Sequence, residues 1–181
     1  MKYTIRRAVP ADLPKIVELA VDMVVHSVSP FRTITTETVQ DFRRKDLVAL
    51  NDAILQPHVA IYLAEEEGTG RFLGHVIIVC GYIESSTGEA QAWIFDLSVV
   101  PDAWSKRIGQ ALMQSAEGFA KERGFAYIGL GVTTANERAV RFYEQLGYTE
   151  ERKRMIKTLE LDTPAVQASA ASGAAGDTPP F

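Results

Sequence analysis

Residues 90–132 read AQAWIFDLSVVPDAWSKRIGQALMQSAEGFAKERGFAYIGLGV, and the order of patterns within them decides the architecture. Ala90 to Val100 is a long run of β-favouring residues that Pro101 brings to an end. From about Arg107 to Arg123 the period changes. Ile108, Leu112, Ser115 and Phe119 now share one side of a helix, and Gly124 follows as its stop. Phe125 to Val132 returns to a strand pattern. Strand, helix and strand in this order make a parallel pair with a right-handed crossover.

Upstream, Tyr3 to Ala8 predicts a short strand with Tyr3 and Ile5 on one face. Asp12 opens a helix whose stripe is Leu13, Ile16, Val17, Ala20, Met23 and Val24; Pro14 sits in its first turn, where no N–H is missed. An irregular stretch from Ser27 to Arg32 follows. A second helix begins after Thr36 and carries Val39, Phe42, Leu47, Leu50 and Ile54 up to Pro57, with a phase slip between Phe42 and Leu47 that predicts a break. Val59 to Ala64 and Phe72 to Ile83 are strands, and the turns Glu66 to Gly70 and Ser85 to Gly88 make successive strands antiparallel. Downstream, a helix over 136–146 is stopped by Gly147, and Met155 to Leu161 predicts a last strand. The fold class is α/β: one domain over 1–161, with a mixed, mostly antiparallel central sheet flanked by helices. From Asp162 the chain turns to Ala, Ser, Gly, Thr and Pro, so 162–181 is expected to be a flexible tail.

The 181 residues are 46% hydrophobic and 23% charged, the balance of a folded globular chain. A net charge of −4 argues against a nucleic-acid partner, which calls for a basic face. Cys80 is the only cysteine and lies in the apolar run Val76 to Cys80, so it reads as a buried hydrophobe and no disulfide forms within the chain. The first residues turn charged before any apolar stretch develops, and no run is long enough to span a bilayer. A cytoplasmic setting without a membrane partner is expected.

Chemistry concentrates in 134–148. Asn136 suits the N-cap; Thr134 and Glu137 equally fit a capping box, leaving the start open by two residues. Ala139, Val140, Tyr143 and Leu146 lie along one side with Phe142 flanking, a spacing that by itself describes an amphipathic core helix. In combination, Asn136, Ala139, Phe142, Tyr143, Leu146, Gly147 and Tyr148 resemble the C-terminal motif of the GCN5-related N-acetyltransferases. The upstream elements follow in that family's order, so the resemblance covers about residues 3–160. It implies acyl transfer from acetyl-CoA, as co-substrate and without a metal, to an amine of a small molecule or peptide. It implies that Tyr143 protonates the departing thiolate and that Asn136 meets the pantetheine arm. It also implies that the backbone of Leu97, Ser98 and Val99 pairs with that arm as an added strand would. Many members of the family are dimers; nothing in the sequence marks an interface.

The family's pyrophosphate loop is Gln/Arg-x-x-Gly-x-Gly/Ala, and the matching residues here are Trp104, Ser105, Lys106, Arg107, Ile108 and Gly109. Only Gly109 is kept. Either Lys106 and Arg107 supply charge while backbone donors from Ser105 to Gln110 hold the phosphates, or the bulk of Arg107 keeps them away. The second case leaves a non-catalytic CoA-binding module as an alternative; a longer acyl chain is another. For a general base, strict alternation puts Trp93, Phe95, Leu97 and Val99 on one face of the strand and Ile94, Asp96, Ser98 and Val100 on the other. Asp96 is the ionisable group in an apolar run. Burial would raise its pKa toward that of a base, unless it only accepts hydrogen bonds at a bulge or edge. Glu84, Glu89 or water are the other candidates. His75 reads as structural, and His26 could line the acceptor site.

Overall fold

The computed structural model describes residues 1–160. Five strands form one sheet in the order β1 (Tyr3–Arg7), β2 (Val59–Glu66), β3 (Phe72–Ile83), β4 (Ala90–Val99) and β5 (Ile128–Leu130). The first three pairings are antiparallel and β4 with β5 is parallel. The helices are α1 (Leu13–Met23), α2 (Thr36–Asp46), the single turn α3 (Leu50–Ala53), α4 (Ile108–Glu122) and α5 (Glu137–Gln145). The second helix does break where its apolar phase slips. α2 ends at Asp46, and a 3-10 turn at Leu47–Ala49 resets the phase for α3.

Both faces of the sheet are covered, which is why β2 and β3 are almost wholly apolar rather than alternating. On one face α4 buries Ile108, Leu112, Met113, Ala116 and Phe119 against Ala60, Ala64, Val76, Ile78, Ala92 and Ile94. On the other, Ile16 and Ala20 of α1 join Leu47 and Leu50 over Ile61, Leu63 and Ile77. An ion-pair knot fastens β1 to the start of α1. Arg6 donates to both Asp12 carboxylate oxygens at 2.7 and 2.8 Å and also to Glu65, while Lys15 bonds Asp12 and Glu65.

Three expectations need correction. Strict alternation along β4 fails, because the register slips between Ile94 paired with Ile78 and Asp96 paired with Ile77. Phe95 is the extra residue of a β-bulge, so the strand reverses its faces there. Ile94 packs toward α4, Phe95 toward α1, and beyond the bulge Leu97 and Val99 return to the α4 side. The strand expected over 125–132 shrinks to Ile128–Leu130. The last strand, from Met155, is not formed within the described residues. The chain from Thr149 to Glu160 carries no regular structure; Arg152 pins it to the β3–β4 hairpin through Glu84, Ser85 and Ser86. The expected tail over 162–181 lies outside the described residues.

Candidate active site

The short β5 leaves a gap. β5 pairs with β4 only at Ala92, Trp93 and Ile94, and beyond the bulge β4 has β3 on one side and no strand on the other among the described residues. Two glycines shape the surroundings. A Cβ on Gly129 would sit 2.8 Å from the Trp93 ring, so its absence lets that ring lie across β5. A Cβ on Gly109 would meet the Phe142 ring at 3.2 Å, and its absence lets the first turn of α4 pack against α5.

α5 borders the gap. Asn136 is its N-cap: the side-chain oxygen accepts from the Ala139 N–H at 3.2 Å, which settles the helix start against the Thr134 capping box. That oxygen is therefore engaged in holding the helix, leaving the amide nitrogen for any ligand. Leu146 ends the helix and Gly147, at φ +91°, turns the chain out in the left-handed region that glycine enters without penalty. Tyr143 is half-buried, edge-on to Phe142 and Tyr148 at 5.2 and 5.9 Å between centroids. Its hydroxyl has no hydrogen-bond partner among the described residues. Burial and then the negative charge of Asp96 push its pKa well above that of an ordinary phenol, so it stays protonated.

Asp96 overturns one expectation. Burial does oppose its ionisation, but hydrogen bonding and charge from His75, the charge of Arg43 and a bond from Ser98 outweigh it. The carboxyl is held well below the usual range, so the raised value of a base fails and the alternative, a carboxylate accepting hydrogen bonds at a bulge, holds. His75 Nε2 lies 2.8 Å from one oxygen, which also accepts from Ser98 Oγ at 2.9 Å. Arg43, reaching in from α2, donates to the other oxygen at 2.5 Å and lies over the Phe95 ring at 4.8 Å. Both bulge residues are thus gripped by Arg43. His75 is fully buried, and its Nδ1 has no partner among the described residues. A carboxylate bonded this fully is a weak proton acceptor.

Of the other base candidates, Glu84 is engaged in the hairpin, where it accepts from the Ser86 and Thr87 N–H groups at 2.8 and 2.7 Å and pairs with Arg152. Glu89 is exposed beyond it. Cys80 is buried, and burial raises its thiol pKa, which suits a packing role.

The loop into α4 places Ser105, Lys106 and Arg107 on the surface at the helix N-terminus, with Ile108 buried and Gly109 and Gln110 half-buried behind them. Ser105 and Arg107 both have left-handed backbone, at φ 63° and 62°. The shape of the loop is one that glycine would relieve. The Tyr3 hydroxyl donates to the Arg107 carbonyl at 3.3 Å. The main-chain donors of the first helical turn, two exposed cations and the positive end of a fifteen-residue helix make a fitting anion cradle, and the open edge of β4 fits an extended arm bearing amides. Sequence reasoning did not find Arg43, nor the Asp96–His75 contact. One signal was present: a single histidine and a single aspartate in otherwise apolar neighbouring strands call for each other.

The family model described as "Acetyltransferase (GNAT) family" matches residues 24–148, which take in both halves of this gap. The chain belongs to the GNAT family. Over 91 residues this GNAT chain is 34% identical to an N-acetyltransferase of Methanocaldococcus jannaschii, covering 50% of the chain and 39% of that relative. It is 40% identical over 55 residues to the streptothricin acetyltransferase of Streptomyces lavendulae, covering 30% and 29%. These matches therefore span well under half the length of either relative. Among solved structures, an acetyl transferase from Pyrococcus furiosus superposes with a TM-score of 0.71 at 28% identity, covering 87% of this chain and all of that one.

Proposed function

We propose that this GNAT chain transfers an acetyl group from acetyl-CoA to a primary amine by direct attack in a ternary complex. The observation that carries the reading is the edge of β4 beyond its bulge, open among the described residues, beside an α5 tyrosine whose hydroxyl has no partner among them. In this reading Leu97 and Val99 turn their main-chain groups to the donor's arm and polarise the thioester carbonyl. Ser105 to Gln110, with Lys106 and Arg107, hold the pyrophosphate at the start of α4. Asn136 presents its amide nitrogen to the arm. Tyr143 donates to the departing thiolate, and the fixed charge of Asp96 keeps that phenol protonated until then. Asp96, ionised and fully bonded, acts as an electrostatic and positioning group, and the amine proton passes to water. Most of the acceleration comes from aligning the two substrates.

The relative named for streptothricin supports a small-molecule acceptor, without fixing which one. A screen of amines with acetyl-CoA, read by mass spectrometry, tests the proposal. It should find at least one amine that gains an acetyl group with stoichiometric thiol release. Binding of acetyl-CoA with no transfer to any amine would favour the alternative, a CoA-binding module, for which the atypical Trp104–Gly109 loop is the motivating feature.

A further inference from the structure

Trp104 stands where the family's loop has Gln or Arg, yet its side chain does not turn toward the start of α4. The indole folds back over the end of β4, and its Nε1–H donates to the Val99 carbonyl at 2.7 Å. Arg138, in the first turn of α5, lies with its guanidinium carbon 3.4 Å from the indole centroid. The His26 ring meets the indole edge-on at 6.0 Å. Beside it the Thr133 hydroxyl donates to the Ser27 carbonyl, tying the segment after α1 to the loop before α5. The indole thus touches residues from three elements.

The direction of the Val99 carbonyl matters most. Val100 sends its N–H to the Leu73 carbonyl on the β3 side at 2.9 Å. In an antiparallel pair successive residues point their main-chain groups to opposite sides, so Val99 turns its own toward the edge that β5 leaves open. An amide-bearing arm adding itself as a strand would bond there, and the indole N–H already holds that acceptor.

We propose that Trp104 is a built-in occupant of the donor edge of β4, holding the Val99 carbonyl in the free protein and yielding it when the arm of an acyl-CoA pairs there. The inference rests on the acyl-CoA reading above and goes beyond it by making Trp104 a determinant of donor affinity. Loading exchanges one N–H···O bond for another, which is nearly neutral, but it also takes the indole out of its stack with Arg138, which is not. Arg138 makes no ion pair among the described residues, so the ring's departure leaves an unpaired cation at the start of α5.

The chain has two tryptophans, Trp93 and Trp104, so indole N–H signals of the nitrogen-15-labelled protein resolve the question directly. On titration with acetyl-CoA the Trp104 signal should leave its hydrogen-bonded position and lose protection from exchange, while that of Trp93 stays. Trp104→Phe assigns the signals, keeps a ring for Arg138 and removes the donor. By calorimetry it should bind acetyl-CoA about fivefold more tightly than the parent. Heat of binding with a motionless Trp104 signal overturns this inference alone, as does weaker binding by Trp104→Phe. No heat in either protein overturns both this inference and the acyl-CoA reading. Should Trp104→Phe fail to fold, Trp93→Phe supplies the assignment and the unsubstituted protein decides.

Discussion

Arg107→Gly separates the two roles that the loop before α4 asks of one residue. Arg107 is the N-cap of α4 at φ 62° and ψ 12°. Holding a residue with a Cβ there costs about 1–2 kcal/mol, which glycine avoids. Glycine also frees the unfolded chain, which takes back roughly 0.5–1 kcal/mol. The side chain is exposed and the Tyr3 hydroxyl bonds its main-chain carbonyl, so little else is lost. The net gain is about 0.5–1 kcal/mol. In a domain of this size that raises the melting temperature by roughly 1–4 °C. The same change removes a cation from the proposed pyrophosphate cradle. A solvent-exposed pair with a phosphate is worth little, so acetyl-CoA binding should weaken about three- to fivefold. The deficit should shrink at high salt. Calorimetric melting, and titration with acetyl-CoA at two salt concentrations, read both effects. A lower melting temperature would refute the strain argument. Tighter binding would mean that the bulk of Arg107 obstructs the phosphates.

Two further predictions rest on packing and charge. Gly74→Ala would put a Cβ 2.5 Å from the Ser98 carbonyl oxygen and 2.9 Å from the Val99 Cα, both main chain, so β3 and β4 must part. A loss of about 1–3 kcal/mol in urea denaturation is expected, together with weaker acetyl-CoA binding, because the displaced residues form the donor edge. Asp12, held below the usual carboxyl range chiefly by hydrogen bonds from Arg6, contributes stability that is present above pH about 4 and is lost as the pH falls through its lowered value. Asp12→Asn should cost about 2 kcal/mol at pH 7, discounted because Arg6 is partly exposed, and much less at pH 2. Equal losses at both pH values would contradict the charge account.

The sheet and its helices were legible because their signals are local. Periodicity placed the stretch from Ala90 to Glu122 with small errors at its ends, and Gly147 marked the end of α5. The bulge was legible only as one alternative for Asp96. Nothing in Ile94-Phe95-Asp96 distinguishes an extra residue from plain alternation, since a bulge exists only relative to its partner strand. For the same reason the two readings of Asp96 could not be separated: burial was foreseeable, but the groups that outweigh it are His75, a neighbour of it only once the bulge is known, and Arg43, 53 positions earlier in the chain. The strand expected from Met155 shows the converse. Its pattern suits a sheet, yet β5 is only three residues long and offers little ladder to extend, and Met155 and Leu159 lie exposed. Trp104 was noticed as a departure from the family loop, but its reach back to Val99 needed coordinates.

The central claim is that the open edge of β4 and the neighbouring α5 form an acyl-transfer site with Tyr143 as its acid. Tyr143→Phe removes one hydroxyl that has no partner among the described residues, so their fold should be undisturbed. With the amine that the screen identifies, turnover should fall on the order of a hundredfold while acetyl-CoA affinity by calorimetry stays within about twofold. Unchanged turnover, with the donor still bound, would contradict the assignment.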